Sequence, residues 1–233
     1  MSKLGVMRRT SFVELDPASW QAAIFITCLY SSVLYITIGV LGMLHVGNEI
    51  LGKNSKTGQL PLWSLILFFP FHTLNHILVR MKYGIEKNIK GNPPANKILD
   101  NLYVGSLFSQ EIADGGNFRW EAVVDLTAEF SELCDCKRYL NLPVHDGNPP
   151  TLEQFDHAVD FVKENILKGA VLIHCAYGVG RSATVASACI YGMQKRPGVL
   201  EAFAAVKASR SMCRLNTGMR KALVEYERER KFA

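Results

Sequence analysis

The stretch His174-Cys175-Ala176-Tyr177-Gly178-Val179-Gly180-Arg181-Ser182 sets the reading of the rest of the chain. It follows Ala170-Val171-Leu172-Ile173, a short β-branched run preceded by Gly169, which predicts a buried strand. Ala183 through Tyr191 then predicts a buried helix, so the cysteine falls where a strand turns into a helix. Gly178 and Gly180 let the intervening backbone curl until several N–H groups converge on one point, which makes an anion cradle of residues 176–181. The start of the helix adds unpaired N–H groups and the positive end of its dipole.

A thiol in that position loses its proton more easily than a free cysteine, whose pKa is about 8.5. Arg181 offers a planar fork matched to two oxygens of a phosphate, a geometry that lysine cannot copy. Ser182 is placed to donate a hydrogen bond to the sulfur and so improve it as a leaving group. A lone buried cysteine is more often an inert small hydrophobe. Here the same few residues also supply a histidine, an arginine, a serine and two glycines.

The combination His-Cys, five residues, Arg-Ser resembles the signature of the cysteine-dependent protein tyrosine phosphatases, and Arg181-Ser182-Ala183-Thr184 is most similar to their dual-specificity branch. The resemblance implies attack of Cys175 on phosphorus, phosphate and transition-state binding by Arg181 with the backbone of Ala176, Tyr177, Gly178, Val179 and Gly180, and metal-independent hydrolysis without a cofactor. It also implies that His174 orients the loop and supports the thiolate.

A second chemical stretch is Pro143-Val144-His145-Asp146-Gly147-Asn148-Pro149-Pro150, between a predicted strand and a helix opened by a Thr151-x-x-Gln154 capping box. Cleavage of a phosphomonoester needs a proton for the departing oxygen, and Asp146 on a nearby loop is the candidate general acid and base. The resembled family carries its acid on such a loop at a similar distance before the cysteine. Asn148 is a candidate for positioning water. Asp125 is read as a strand-end turn residue rather than a second carboxylate in the site, Arg210 and Asn216 as structural, and Cys134 and Cys136 as incidental rather than redox partners of Cys175.

The order of predicted elements is α/β, a mixed sheet flanked by helices of the dual-specificity-phosphatase type, over residues 97–233. Edge strands around a turn are expected at 98–106, buried strands at 121–127 and 139–144, and helices at 201–210 and 217–231. About 135 residues suffice to bury a core.

Upstream the character changes. Residues 20–46 contain no Asp, Glu, Lys or Arg and are long enough to span a bilayer core of about 30 Å. A signal peptide competes with this reading, but the polar stretch before it is long and no cleavage site stands out. Residues 60–79 form a second candidate span, weakened by Pro70, His72, Asn75 and His76, with a re-entrant or interfacial segment as the alternative. His72 and His76 have metal-like spacing but lack a third ligand, so they read as interface-facing polar residues.

Lys3, Arg8 and Arg9 precede the first segment and Arg80, Lys82, Lys87, Lys90 and Lys97 follow the second, while the connecting loop holds only Lys53 and Lys56. This predicts an α-helical transmembrane hairpin, residues 20–79, with both ends cytoplasmic after a cytoplasmic segment 1–19. A basic linker is expected at 80–96. Six cysteines without regular spacing agree with a reducing compartment. A net charge of +5, with basic residues beside the apolar segments rather than among aromatics, does not favour nucleic acid as a partner.

The expected function is a membrane-anchored phosphatase acting through a phosphocysteine, first on protein phosphotyrosine and also phosphoserine or phosphothreonine. A phospholipid headgroup is the alternative substrate. The absence of lysine from residues 176–180 disfavours highly charged inositides and leaves a simple lipid monoester open. An inactive phospho-binding adaptor is the third reading, disfavoured because cysteine, arginine and acid are all present.

Overall fold

In the computed structural model, residues 17–44, 49–112, 119–194 and 198–231 are described. The predicted α/β core is present. Strands β1 (Ala95–Leu99), β2 (Leu102–Gly105), β3 (Trp120–Asp125), β4 (Cys136–Asn141) and β5 (Val171–His174) form one sheet in the order β1-β2-β5-β3-β4. β1 and β2 pair antiparallel through the turn at Asp100 and Asn101, and the other pairings are parallel. β1 is an edge strand as expected, whereas β2 is interior, with β5 along its other side. The helices α4 (Leu152–Asn165), α5 (Arg181–Gln194), α6 (Val199–Ser209) and α7 (Thr217–Lys231) follow the predicted pattern.

The capping box is realised. Thr151 Oγ1 accepts from the backbone N–H of Gln154 at 3.1 Å, and the Gln154 side chain accepts from the backbone N–H of Thr151 at 3.0 Å. The main core joins one face of the sheet to α4, α5, α6 and α7 through Val124, Phe155, Ile173, Ala186, Val206 and Leu223. Helix α5 is buried from Arg181 to Tyr191, which explains why its sequence shows no polar face.

The register brings Gly105, His174 and Asp125 side by side at the carboxyl end of three adjacent strands, where sites in parallel sheets form. Gly105 is required there, because a Cβ would lie 2.1 Å from Ser109 Oγ and 2.6 Å from Ala95 Cβ.

The two-span hairpin is not what the structure shows. Among the described residues, one helix is long and apolar enough to cross a membrane, Ser19–Gly42 within α1 (Pro17–Met43). The second predicted span is broken at Phe68 into α2 (Leu62–Leu67) and α3 (Phe69–Gly84). Their polar residues face protein: His72 Nε2 lies 3.2 Å from Ser64 Oγ, and the His76 ring packs edge-on against Phe130 at 5.2 Å. Val79 is buried with Leu107, Phe130 and Ala176.

The loop between the predicted spans also packs on the catalytic fold. Leu51 is buried, Gln59 Nε2 donates to Glu132 O at 3.0 Å, and Leu60 N donates to Ser131 Oγ at 3.0 Å. This packing of the loop on the catalytic fold does not support a multi-pass topology that puts the loop on the far side of a bilayer. The linker expected at 80–96 is partly helical, because α3 runs to Gly84 and continues as a π-type turn over Ile85–Ile89. Lys3, Arg8, Arg9, His45 and Val46 lie outside the described residues.

Replacing the fully buried Phe155 with Ala should lower stability by about 3–5 kcal/mol through lost transfer energy and a residual cavity. Thermal denaturation of the two proteins checks this, and a change below about 1 kcal/mol would contradict the packing described.

Candidate active site

Cys175 follows the last residue of β5 and precedes the first turn of α5. Its side chain is held by the loop that it opens. Gly178 N donates to Cys175 Sγ at 3.3 Å, and Ser182 Oγ lies 3.4 Å from the sulfur. Gly178 has φ of 68°, and a Cβ there would stand 2.6 Å from the carbonyl of Gly105. Only glycine gives this close approach of loop to strand.

Burial pushes the Cys175 thiol up. The Arg181 guanidinium, the Ser182 hydroxyl and the backbone N–H groups of Ser182 and Val179 outweigh that and hold it below its ordinary value. The remaining cysteines with resolved shifts behave oppositely, Cys136 being raised to about 11 mainly by burial. Cys134 lies among Trp120, Val123 and Leu172 in a second apolar cluster. The buried thiol beneath the loop is instead Cys213, whose Sγ lies 3.7 Å from Gly178 O.

Arg181 is fully buried and its fork is held from one side. Nη2 meets Glu129 Oε1 at 2.8 Å and Nη1 meets Glu129 Oε2 at 3.2 Å, a two-point pair, and Nη1 also donates to Val144 O at 2.7 Å and Leu126 O at 3.3 Å. Nη2 reaches Asp146 Oδ1 at 3.3 Å. Nε–H is buried without a hydrogen-bond partner among the described residues, a donor available to a phosphate oxygen. The guanidinium is thus aimed by Glu129 rather than left to seek substrate.

Asp146 is exposed on its loop, in keeping with a group that must meet substrate. Its loop is tied at both sides. Asn216 Nδ2 donates to Gly147 O at 2.6 Å, and Asn148 Nδ2 donates to the carbonyl of Gly42, near the end of α1, at 2.7 Å. Arg210 has the structural role expected of it, with Nε to Gly178 O at 2.8 Å and Nη1 to Pro93 O at 2.9 Å and Asn96 Oδ1 at 2.7 Å.

His174 directs its ring to carboxylates, and its buried Nδ1 has no hydrogen-bond partner among the described residues. Its Nε2 pairs with Glu132 Oε2 at 2.7 Å and lies 3.7 Å from Asp125 Oδ1. Asp125 is buried, accepts from Tyr139 OH at 2.8 Å and Thr127 N at 2.7 Å, and is paired with Lys53. Burial pulls the imidazole down, but the Glu132 and Asp125 carboxylates push it up to about 9. Burial raises Glu132, while the positive imidazole and the hydrogen bonds it accepts bring it down to about 2.

A cavity of about 270 Å³ opens beside Asp146, walled on the catalytic side by Glu129, Ala176 and Tyr177 and on the other by Ile38 and Gly42 of α1 and Phe71 of α3. Glu129, Glu132 and Lys53 were not singled out in the sequence as site residues. The one signal for Glu129 and Glu132 is the run Asp125-Leu126-Thr127-Ala128-Glu129-Phe130-Ser131-Glu132, three carboxylates at and just after the end of a buried strand, and Lys53 has none.

Residues 102–229 match the family model described as dual specificity phosphatase, catalytic domain. The chain belongs to the dual specificity phosphatase catalytic-domain family. It is 32% identical over 137 residues to dual specificity protein phosphatase 5 of Homo sapiens, covering 57% of this chain and 35% of that protein. It is 40% identical over 95 residues to dual specificity protein phosphatase 14 of Homo sapiens, covering 39% and 46%. The chain therefore spans less than half the length of these two relatives. Among solved structures, PTPMT1 in complex with PI(5)P shares the fold, with a TM-score of 0.51, 22% identity and coverage of 60% and 99%. Residues 17–101 lie outside the family match.

The shifts of His174 and Glu132 have a fixed sign. A raised imidazole contributes stability that is full below about pH 6.5 and lost as pH rises through about 9, and a depressed carboxyl contributes stability present above about pH 4.5 and lost as pH falls through about 2. Melting temperature followed across pH 6 to 10 should fall through the alkaline window in the parent and much less in Glu132→Gln; equal slopes would refute the pair.

Proposed function

We propose that the protein is a membrane-anchored, cysteine-dependent phosphatase whose substrate is a lipid phosphomonoester. The observation that carries the substrate class is the wall of the cavity beside Asp146, built from Ile38 and Gly42 of the apolar helix α1 and Phe71 of α3. A headgroup entering there keeps its apolar part against those helices. Ala176 to Gly180 carry no lysine, which suits one phosphate rather than several.

In the proposed reaction the Cys175 thiolate attacks phosphorus while the phosphate oxygens bind the loop N–H groups and Arg181. The ester P–O bond breaks and Asp146 gives its proton to the departing oxygen. Water then attacks the phosphocysteine, Asp146 takes the water's proton, the S–P bond breaks, and Ser182 donates to the returning thiolate. His174 acts from behind the loop, fixed by its pair with Glu132.

Membrane anchoring by a single span rests on α1, about 40 Å long at 1.5 Å per residue. Ile24, Phe25, Ile26, Val33 and Ile36 are exposed on it. The hydroxyls of Thr27, Ser31, Ser32 and Thr37 bond back one turn, as Ser31 Oγ does to Thr27 O at 2.8 Å, so those donors are satisfied within the helix. Leu62, Ile66, Phe69, Ile77 and Met81 give α2 and α3 an exposed apolar face suited to the bilayer interface. The fold shared with PTPMT1, solved with PI(5)P, also supports a lipid reading.

Protein phosphotyrosine remains the second reading, supported by the names of the matched relatives, which are protein phosphatases.

Full-length protein in lipid nanodiscs should hydrolyse phosphatidate with kcat/KM at least about tenfold above that for a phosphotyrosine peptide. Gly42→Leu should reduce the lipid reaction several-fold more than hydrolysis of a small aryl phosphate. Preference for the peptide, with Gly42→Leu neutral, would give the substrate to the second reading. In sealed vesicles, cysteines placed at Ser55 and Leu167 should be labelled by an impermeant maleimide from the same face; labelling from opposite faces would contradict the single span.

A further inference from the structure

Lys53 lies outside the family match and outside every motif with a chemical reading, yet its side chain is almost completely buried, at 3% exposure, within the catalytic fold. Its ammonium pairs with Asp125 Oδ2 and donates to Thr127 O at 2.9 Å and Thr127 Oγ1 at 3.0 Å. The segment that carries it is built onto the loop after β3. Glu132 N donates to Gly58 O at 2.9 Å, and a Cβ on Gly58, which has φ of 70°, would stand 2.6 Å from Tyr139 OH.

Asp125, Glu132 and His174 bring three ligand-type groups within 4.8 Å of one another, all buried. Two carboxylates against one imidazolium leave a negative charge in the core directly behind the residue that precedes Cys175. The Lys53 ammonium is the charge that balances them. An unbalanced buried charge is costly, and a negative one behind the phosphate loop opposes a thiolate in front of it.

We propose that Lys53 is a positioning residue for this phosphatase: the membrane-proximal segment supplies the cation that completes the buried cluster Lys53, Asp125, Glu132 and His174 behind Cys175. The catalytic fold is on this account electrostatically complete only with a residue from outside its family-defined bounds. Lys53 touches no reacting atom and acts through Asp125 and His174. The proposal rests on the reading of Cys175 as nucleophile. Its test uses thiol reactivity, which does not require turnover, so failure of one is distinguishable from failure of the other.

The groups that face the sulfur or its loop from neighbouring elements are Arg181 with its partners Glu129 and Asp146, Tyr177, Arg210 and Cys213. All of these are unchanged in the variants Lys53→Met, Lys53→Arg and Lys53→Met with Asp125→Asn. In full-length protein in nanodiscs, the alkylation rate of Cys175 by iodoacetamide, read by mass spectrometry of its peptide across pH 4 to 9, gives the thiol titration.

Lys53→Met should move that titration and the acid limb of kcat/KM upward by about one unit, a tenfold loss of thiolate on the acid side. Lys53→Arg should stay within about threefold of the parent, and the double variant should return towards it because both charges are gone. An unshifted titration in Lys53→Met, or a double variant shifted as far as the single, would overturn the proposal. If Lys53→Met does not fold, the double variant decides: folded with parental titration supports charge balance, and shifted or unfolded refutes it.

Discussion

The site turns on how fixed donors offset the burial of one sulfur, Cys175, inside the protein interior. Cys175 is 3% exposed, and burial alone would favour the neutral thiol. Fixed donors outweigh that cost and hold the thiol below its ordinary value: Arg181, the Ser182 hydroxyl and loop N–H groups at the start of α5. Because those donors work only when aimed, much of the surrounding structure is concerned with aiming them. Glu129 grips the guanidinium at two points, Arg210 ties the loop to the start of β1, and Gly178 allows the loop to pass against Gly105.

Behind this front layer lies a second one of opposite composition. His174, Glu132 and Asp125 close off the carboxyl ends of β5 and β3 with buried polar groups, and Lys53, from the segment that precedes the family match, pairs with Asp125. The same segment shapes the mouth. Val79 packs with Ala176 of the phosphate loop, the Lys82 ammonium sits 3.8 Å over the Tyr177 ring, and Gly42 accepts from Asn148 next to the Asp146 loop. Front, back and rim of the site are therefore all touched by residues upstream of the family match.

The strand, loop and helix around Cys175 were legible in the sequence because their signal is local: a β-branched run, two glycines and an arginine at fixed offsets. Asp146 could be found from its loop and from the capping box after it. Glu129 and Glu132 could not be assigned roles, because what defines them is a partner some 52 and 42 residues away. Lys53 read as a loop charge for the same reason, its partner Asp125 being 72 residues distant. Residues 60–79 misled because hydropathy records how apolar a segment is and not which side of it meets protein. In α3 His72, His76 and Val79 turn inward, while Leu74, Ile77 and Met81 turn out. The boundary near residue 80 blurred because Gly84 stands inside a continuing helix instead of ending it.

In the proposed reaction Cys175 forms a covalent bond to phosphorus. Rapid acid quench of the full-length protein with a ³²P-labelled phosphomonoester tests it directly. The account predicts label on the peptide containing Cys175 within the first turnover, approaching one per chain and absent in Cys175→Ser. Product formation without a labelled peptide, or label that survives Cys175→Ser, would contradict it.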